Sequence, residues 1–327
     1  MRILSREDVR QAVSMAEAIE AVKVAYAQLS AGQATVPLRT PIDLPAHAGI
    51  TLFMPAYLVS SDALGVKVVS VHDRNPEQGL PLIHALVLLI APTTGQPLAA
   101  MEGGYLTALR TGAASGVATH YLARPDARIV ACFGAGTQAE TQLEAVCAVR
   151  DISRVWVVDP NRDKARQFCQ KLAGRGRIPT DLRLADSSAQ AVRDADIVVC
   201  ATTSTTPVFY GQDLRPGTHV NAIGAYRPDM QEVDATTILR ATVVVDQRQA
   251  CLAEAGDLIL PLKQGLITGD KIYAEIGEIV LGRKLARSDS QEITYFKSVG
   301  NAVQDVAVGQ LALHKAEQLG LGVEVGL

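Results

Sequence analysis

The sequence predicts an α/β protein, with an α+β region first and a doubly wound parallel sheet after it. Three observations predict it. Hairpin-spaced strand runs dominate the chain before Arg124-Pro-Asp126. Strand-like and helix-like segments alternate beyond that point. A glycine-containing turn joins the first strand of the alternation to its first helix. A length of 327 residues accommodates two domains.

The elements follow in order. Ser14-Met-Ala-Glu17 fits a capping box, and Ile19, Val22, Tyr26 and Leu29 recur at helical spacing before a stop at Gly32. Strand-like runs come next at Val36–Ile42, Ile50–Met54, Gly65–Val71 and Ile83–Ile90, punctuated by Pro, Gly and Asp. Thr93-Thr-Gly-Gln-Pro97 reads as a turn before a strand at Leu98–Met101. Leu106–Leu122 is helical and rich in small residues. Arg128–Phe133 is a buried-type strand, Thr137–Val149 a helix, Val155–Val158 a strand and Arg162–Leu172 a helix. Ala189–Val192 is a short helix before a strand at Ile197–Ala201. Val220–Ile223 and Thr242–Val245 complete the strands, and Val299–Leu319 is a helix expected to return to the first domain.

Composition excludes several classes of function. Hydrophobic residues make up 48% and charged residues 20%, values of a soluble globular chain. A formal charge of -3 argues against a generic nucleic-acid surface. The apolar run near Ala85–Ala91 falls far short of the roughly 20 residues that a membrane helix needs. The N-terminus becomes charged before a signal core forms, so a cytoplasmic location is expected. The five cysteines include no CxxC, and no two histidines stand at metal-ligand spacing, so no metal is expected. Cys132 and Cys200 sit in apolar strand runs and read as core.

Gly134-Ala-Gly136-Thr137-Gln138-Ala139 matches GxGxxA, entered from a strand and left by a helix. The first glycine permits a tight turn, and the second lets backbone approach a pyrophosphate. Small Ala139 lets the helix pack on the strand, and the helix N-terminus favours phosphate charge. Asp159 ends the next strand, about 20 residues beyond Ala139, where a carboxylate accepts from an adenosine ribose. This predicts NAD. Arg162 opens NADP as the alternative, gripping a 2′-phosphate if Asp159 turned aside. Thr202, after the strand at Ile197–Ala201, is a further candidate for cofactor contact, although a hydroxyl there also suits a turn cap.

With that fingerprint in place, the chain resembles the ornithine cyclodeaminase/mu-crystallin family over nearly its whole length. The carriers are Val36-Pro-Leu-Arg39, Met54-Pro-Ala-Tyr57, Gly65-Val-Lys67, Gly79-Leu-Pro81 and Thr94-Gly-Gln-Pro97. They continue with Leu106-Thr-Ala-Leu-Arg-Thr111, Asn221-Ala-Ile-Gly224 and Phe296-Lys-Ser-Val-Gly300. Each string is unspecific alone; their order around the GxGxxA is specific. The resemblance implies a homodimer, each subunit a Rossmann domain (residues 123–299) inserted in a substrate and dimerisation domain (residues 1–122 plus 300–327). Dimerisation is expected through the sheets of the substrate domains. It also implies a small α-imino or α-amino acid substrate, with Ser298 and Gly300 near the nicotinamide.

Such a substrate carries a carboxylate beside the reacting carbon, so fixed cations are needed. Arg39, Lys67 and Arg110 match the family's positions. Arg110 stands among small and apolar residues, where an unpaired guanidinium is costly and a bidentate carboxylate is the natural partner. A structural pair with Glu102 is the alternative. Lys67 interrupts an apolar strand, and binds the carboxylate or passes a proton; a solvent-facing lysine is the commoner reading of such a position. Arg39 would look the same on an exposed edge strand. Asp305, in the last helix, reads as an internal structural acid.

One position departs from the family. Ornithine cyclodeaminases carry an aspartate where this chain has Tyr226. Asn221-Ala-Ile-Gly-Ala-Tyr226-Arg-Pro-Asp229 looks more like the mu-crystallin version, whose relatives include ketimine reductases. Cyclisation of ornithine needs several proton transfers, for which a carboxylate is a sensible base. Reduction of a preformed cyclic imine needs fewer. A phenol with an ordinary pKa of about 10 is no base near neutrality. Asp229 is too separated by Arg227 and Pro228 to be the expected substitute. The expected activity is NAD(P)H-dependent reduction of Δ1-pyrroline-2-carboxylate or Δ1-piperideine-2-carboxylate. Ornithine cyclodeamination, an alanine-type amino-acid dehydrogenase, and a non-catalytic nucleotide-binding protein are the alternatives.

Overall fold

The computed structural model describes residues Met1–Gly326. The chain divides into two compact units, one of Met1–Arg110 with the chain from Asn301 onward, the other of Thr111–Gly300. The first boundary falls inside a helix, Gly103–Leu122.

The first unit begins with β1 (Arg2–Leu4), α1 (Arg6–Ala12) and α2 (Met15–Ser30). The capping box of α2 is in place: Ser14 Oγ accepts from Glu17 N–H, and Glu17 accepts from Ser14 N–H at 3.0 Å. Its end closes on Gly32, whose φ of +73° a side chain would strain. Then come β2 (Ala34–Thr35), β3 (Thr40–Leu44), β4 (Gly49–Leu58), β5 (Ala63–His72), β6 (Ile83–Ile90) and β7 (Pro97–Glu102). Of the expected strand at Val36–Ile42 only Thr40–Ile42 is strand, as the start of β3; Val36–Arg39 lies between β2 and β3, and Pro37 there has no N–H for a ladder. These strands pair antiparallel in the order β7-β6-β5-β4-β2, with β3 also on β4.

Helix α3 (Gly103–Leu122) leaves the sheet. Glu102 accepts from Gly104 and Tyr105 N–H groups at its start, so this acid caps a helix rather than pairing with Arg110. At its other end Arg150 donates to the carbonyls of Thr119, His120, Ala123 and Arg124.

The second unit runs β8 (Ile129–Phe133), α4 (Thr137–Val149), β9 (Arg154–Val158), α5 (Arg162–Leu172), β10 (Leu182–Leu184), α6 (Ser188–Asp194) and β11 (Ile197–Cys200). It continues with β12 (His219–Ala222), α7 (Ala235–Arg240), β13 (Thr242–Val245), α8 (Arg248–Glu254), α9 (Gly256–Lys263), β14 (Ile272–Glu275), α10 (Ile276–Val280) and β15 (Thr294–Lys297). All pairings are parallel, in the order β10-β9-β8-β11-β12-β15-β13-β14. Alternate residues of β8 enter different cores. Val130 and Cys132 pack with α4 and α5, and Ala131 and Phe133 with α6 and α7 on the other face. That is a doubly wound sheet. Cys132 and Cys200 are core residues, both fully buried.

The chain returns to the first unit as α11 (Ala302–Leu319) and β16 (Val323–Glu324). Helix α11 packs on α2 and across β4, β5 and β6.

Candidate active site

The glycine turn follows β8. Gly134 has φ +97°, and a Cβ there would stand 2.5 Å from the carbonyl oxygen of Ala201. Both facts demand glycine. Gly136 caps α4 without a side-chain hydrogen bond, and a Cβ there would meet only Lys164 Nζ, at 3.9 Å. The space over this turn is open and faces a helix N-terminus, which fits a dinucleotide pyrophosphate. Thr137 is exposed, Gln138 half-buried, and Ala139 packs in the core against β8.

Asp159 is anchored. Its Oδ2 accepts from Ala135 N–H at 2.9 Å and its Oδ1 from Asn161 N–H at 2.9 Å. The carboxylate therefore does not turn aside. The cation beside it is Lys164, whose Nζ is 3.6 Å from Oδ2, while Arg162 is exposed in the first turn of α5. Arg162 is the nearer of the two to Asp159 in sequence, whereas Lys164 faces it only once α5 is wound.

The carboxyl ends of β11, β12 and β15 are tied by buried acids that the sequence did not single out. Glu232 Oε1 accepts from the N–H and hydroxyl of Thr202, at 2.6 and 2.8 Å, and Oε2 accepts from Gly224 and Ala225 N–H. Both donors of Thr202 are thus spent on protein. Asp257 accepts from the N–H groups of Glu232 and Val233 and from Lys297 Nζ at 2.9 Å. Ser298 Oγ and Gly300 N–H both donate to Asp246 Oδ2, at 2.7 and 3.0 Å, and Gly300 turns with φ +81°. Tyr226, the next residue after Ala225, is half-buried against the core, and Asp229 is an exposed partner of Arg227.

The cations gather in the other unit. Lys67 shares a cross-strand row with Met54, Val87 and Met101, all buried and apolar. It is 2% exposed, Arg110 5%, and Asp305 is fully buried between them. Lys67 Nζ lies 2.9 Å from Asp305 Oδ2, and Arg110 Nε 2.9 Å from Oδ1. Arg110 Nη1 also donates to Gln304, which donates to the hydroxyl of Tyr26. Burial pushes the Lys67 ammonium down to about 7; Arg110 adds to the fall, Asp305 opposes it, and Arg39 contributes further. Arg39 is half-buried between β2 and β3, not on an edge strand. Arg110 and Arg39 therefore both act on Lys67. One carboxylate serves two buried cations, which leaves positive charge in surplus whenever Lys67 is protonated. Such a site favours an incoming carboxylate and holds one group able to give up a proton near neutrality. Among the described residues no cluster of His, Cys, Asp and Glu is arranged to hold a metal ion, and no helix is long and apolar enough to cross a membrane.

Comparison with known proteins gives consistent matches. The model of the ornithine cyclodeaminase/mu-crystallin family matches residues 1–319. The Δ1-pyrroline-2-carboxylate reductase of Bacillus cereus is 40% identical over 326 residues, 99% of each chain. The structure of Thermococcus litoralis Δ1-pyrroline-2-carboxylate reductase in complex with NADH and L-proline superposes with a TM-score of 0.96 at 46% identity, covering 99% of this chain and 100% of that one. An archaeal alanine dehydrogenase dimer with bound NAD superposes with a TM-score of 0.93 at 36% identity, over 100% of this chain and 99% of that one.

Proposed function

We propose, for a chain that belongs to the ornithine cyclodeaminase/mu-crystallin family, the NAD(P)H-dependent reduction of cyclic ketimine carboxylates: Δ1-pyrroline-2-carboxylate to proline, or Δ1-piperideine-2-carboxylate to pipecolate. The observation that carries the reading is the surplus of buried positive charge around Lys67, Arg110 and their single shared acid, Asp305. The names of the similar Bacillus and Thermococcus proteins support it.

A bound reduced nicotinamide supplies the hydride that reaches the imine carbon. The turn at Gly134, Gly136, Thr137, Gln138 and Ala139 would hold the pyrophosphate, and Asp159 would accept from the adenosine ribose. Thr202, Ser298 and Gly300 follow the carboxyl ends of β11 and β15, where they would adjoin the cofactor. Arg110 holds the substrate carboxylate through its remaining guanidinium donors, and Arg39 adds charge. Lys67 gives a proton to the imine nitrogen, which suits a group near 7. The product is a secondary amine, with one hydride and one proton added across the C=N bond. Tyr226 offers a hydrogen bond and is not a base. The apolar neighbours of Lys67 on its sheet face favour a ring over a second ammonium. That argues against ornithine as substrate. A burst of NADH or NADPH oxidation on adding either imine tests the proposal; ammonia release from ornithine would replace it.

The working unit is a cytoplasmic homodimer. Phe53, Val68 and Leu86 form a row on the sheet face opposite Lys67, with Phe53 and Leu86 exposed. A second copy would cover this apolar row. Free, buried cysteines agree with a reducing compartment.

A further inference from the structure

We propose that Lys164, rather than Arg162, sets the preference of this chain between NADH and NADPH. The inference rests on the dinucleotide reading of the glycine turn. A 2′-phosphate on the adenosine ribose would lie beside Asp159, and two like charges there repel. Two routes relieve that repulsion: remove the acid, or supply a cation. The first is closed, because both oxygens of Asp159 are held by backbone N–H groups of Ala135 and Asn161.

The second is built in. Asn161 Oδ1 accepts from the Lys164 N–H and fixes the first turn of α5. That turn places Lys164 Nζ 3.6 Å from Asp159 Oδ2 and 3.9 Å from where a Gly136 Cβ would stand. One ammonium therefore borders both the ribose acid and the open space over the glycine turn. Its side chain is 51% exposed, and a solvated pair at this distance is weak. Lys164 can leave Asp159 for a dianionic phosphate at little cost. With NADH it stays and screens the acid; with NADPH it becomes the phosphate's partner. The ammonium is a point charge on a flexible stem, suited to this exchange.

Direct binding of NADH and NADPH, followed by quenching of protein fluorescence, tests the assignment on the intact chain, Lys164→Met and Arg162→Met. Lys164→Met is expected to weaken NADPH about tenfold and to leave NADH within about threefold, the effect of one charged hydrogen bond. Arg162→Met is expected to leave the ratio unchanged. Equal weakening of both cofactors by Lys164→Met would overturn the assignment, as would a ratio that moves only in Arg162→Met. Failure of the unmodified protein to bind either dinucleotide would overturn the reading of the turn and this assignment with it.

Discussion

Lys67 Nζ lies 2.9 Å from Asp305 Oδ2, a buried contact between residues 238 positions apart. Because Arg110 holds the other oxygen of the same carboxylate, Asp305 is one acid set against two buried cations. Its replacement by asparagine keeps the shape and removes the charge. Asp305→Asn is expected to lose about 3–5 kcal/mol of stability, the cost of stranding a buried charge. Urea unfolding measures it, and added L-proline is expected to restore part of the loss by lending a carboxylate. No change in midpoint would mean that the cations are solvated.

Proton supply by Lys67 gives a pH signature. Its folded value of about 7 is far below the ordinary 10.5, chiefly through burial. The proton-donating form is therefore full below about 7 and declines as pH rises through that value. Turnover with saturating imine should fall about tenfold per pH unit on the alkaline side. Lys67→Met should lose about 10²- to 10⁴-fold in turnover and lose this limb as well. A limb that persists in the variant would belong to the substrate instead. For stability the sign is opposite: folding favours the neutral amine, so its contribution is full above 10.5 and disappears as pH falls through about 7.

The two glycines of the turn should separate folding from binding. Gly134→Ala drives a Cβ to 2.5 Å from Ala201 O in a positive-φ backbone, so the melting temperature should fall by several degrees. Gly136→Ala meets only Lys164 Nζ at 3.9 Å and should fold normally, yet bind dinucleotide at least tenfold more weakly. Equal melting temperatures for the two variants would contradict this division.

The legible part of the fold was the part with strong local signals. The strand, glycine turn and helix from Arg128 onward follow from apolar runs and from the two glycines, and the capping box at Ser14 needs only its own four residues. β15 has no such signal: Thr294–Lys297 is short and ends in a lysine, whose burial beside Asp257 and Glu232 only the folded chain provides. Helices α7 to α10 are too short to develop a helical period. In the site, Arg110 was legible because a charge stood alone among small residues. Its partner is not, since Glu102 is near in sequence whereas Asp305, 195 positions away, is near only in the folded chain. Lys164, Glu232 and Asp246 likewise act through folded geometry and carry no local motif.

The apolar row of Phe53, Val68 and Leu86 predicts assembly. Leu86→Glu, a 49% exposed position, should shift the protein from dimer to monomer in sedimentation without unfolding it. A dimer that survives the charge would place the interface elsewhere.

The most direct test of the central claim is absorbance at about 340 nm, the readout of the reduced nicotinamide, with Δ1-pyrroline-2-carboxylate and either NADH or NADPH. The account predicts rapid oxidation of the cofactor with proline as product, and no ammonia from ornithine. An inert imine beside conversion of ornithine to proline and ammonia would contradict it, and would make Tyr226 compatible with cyclodeaminase chemistry.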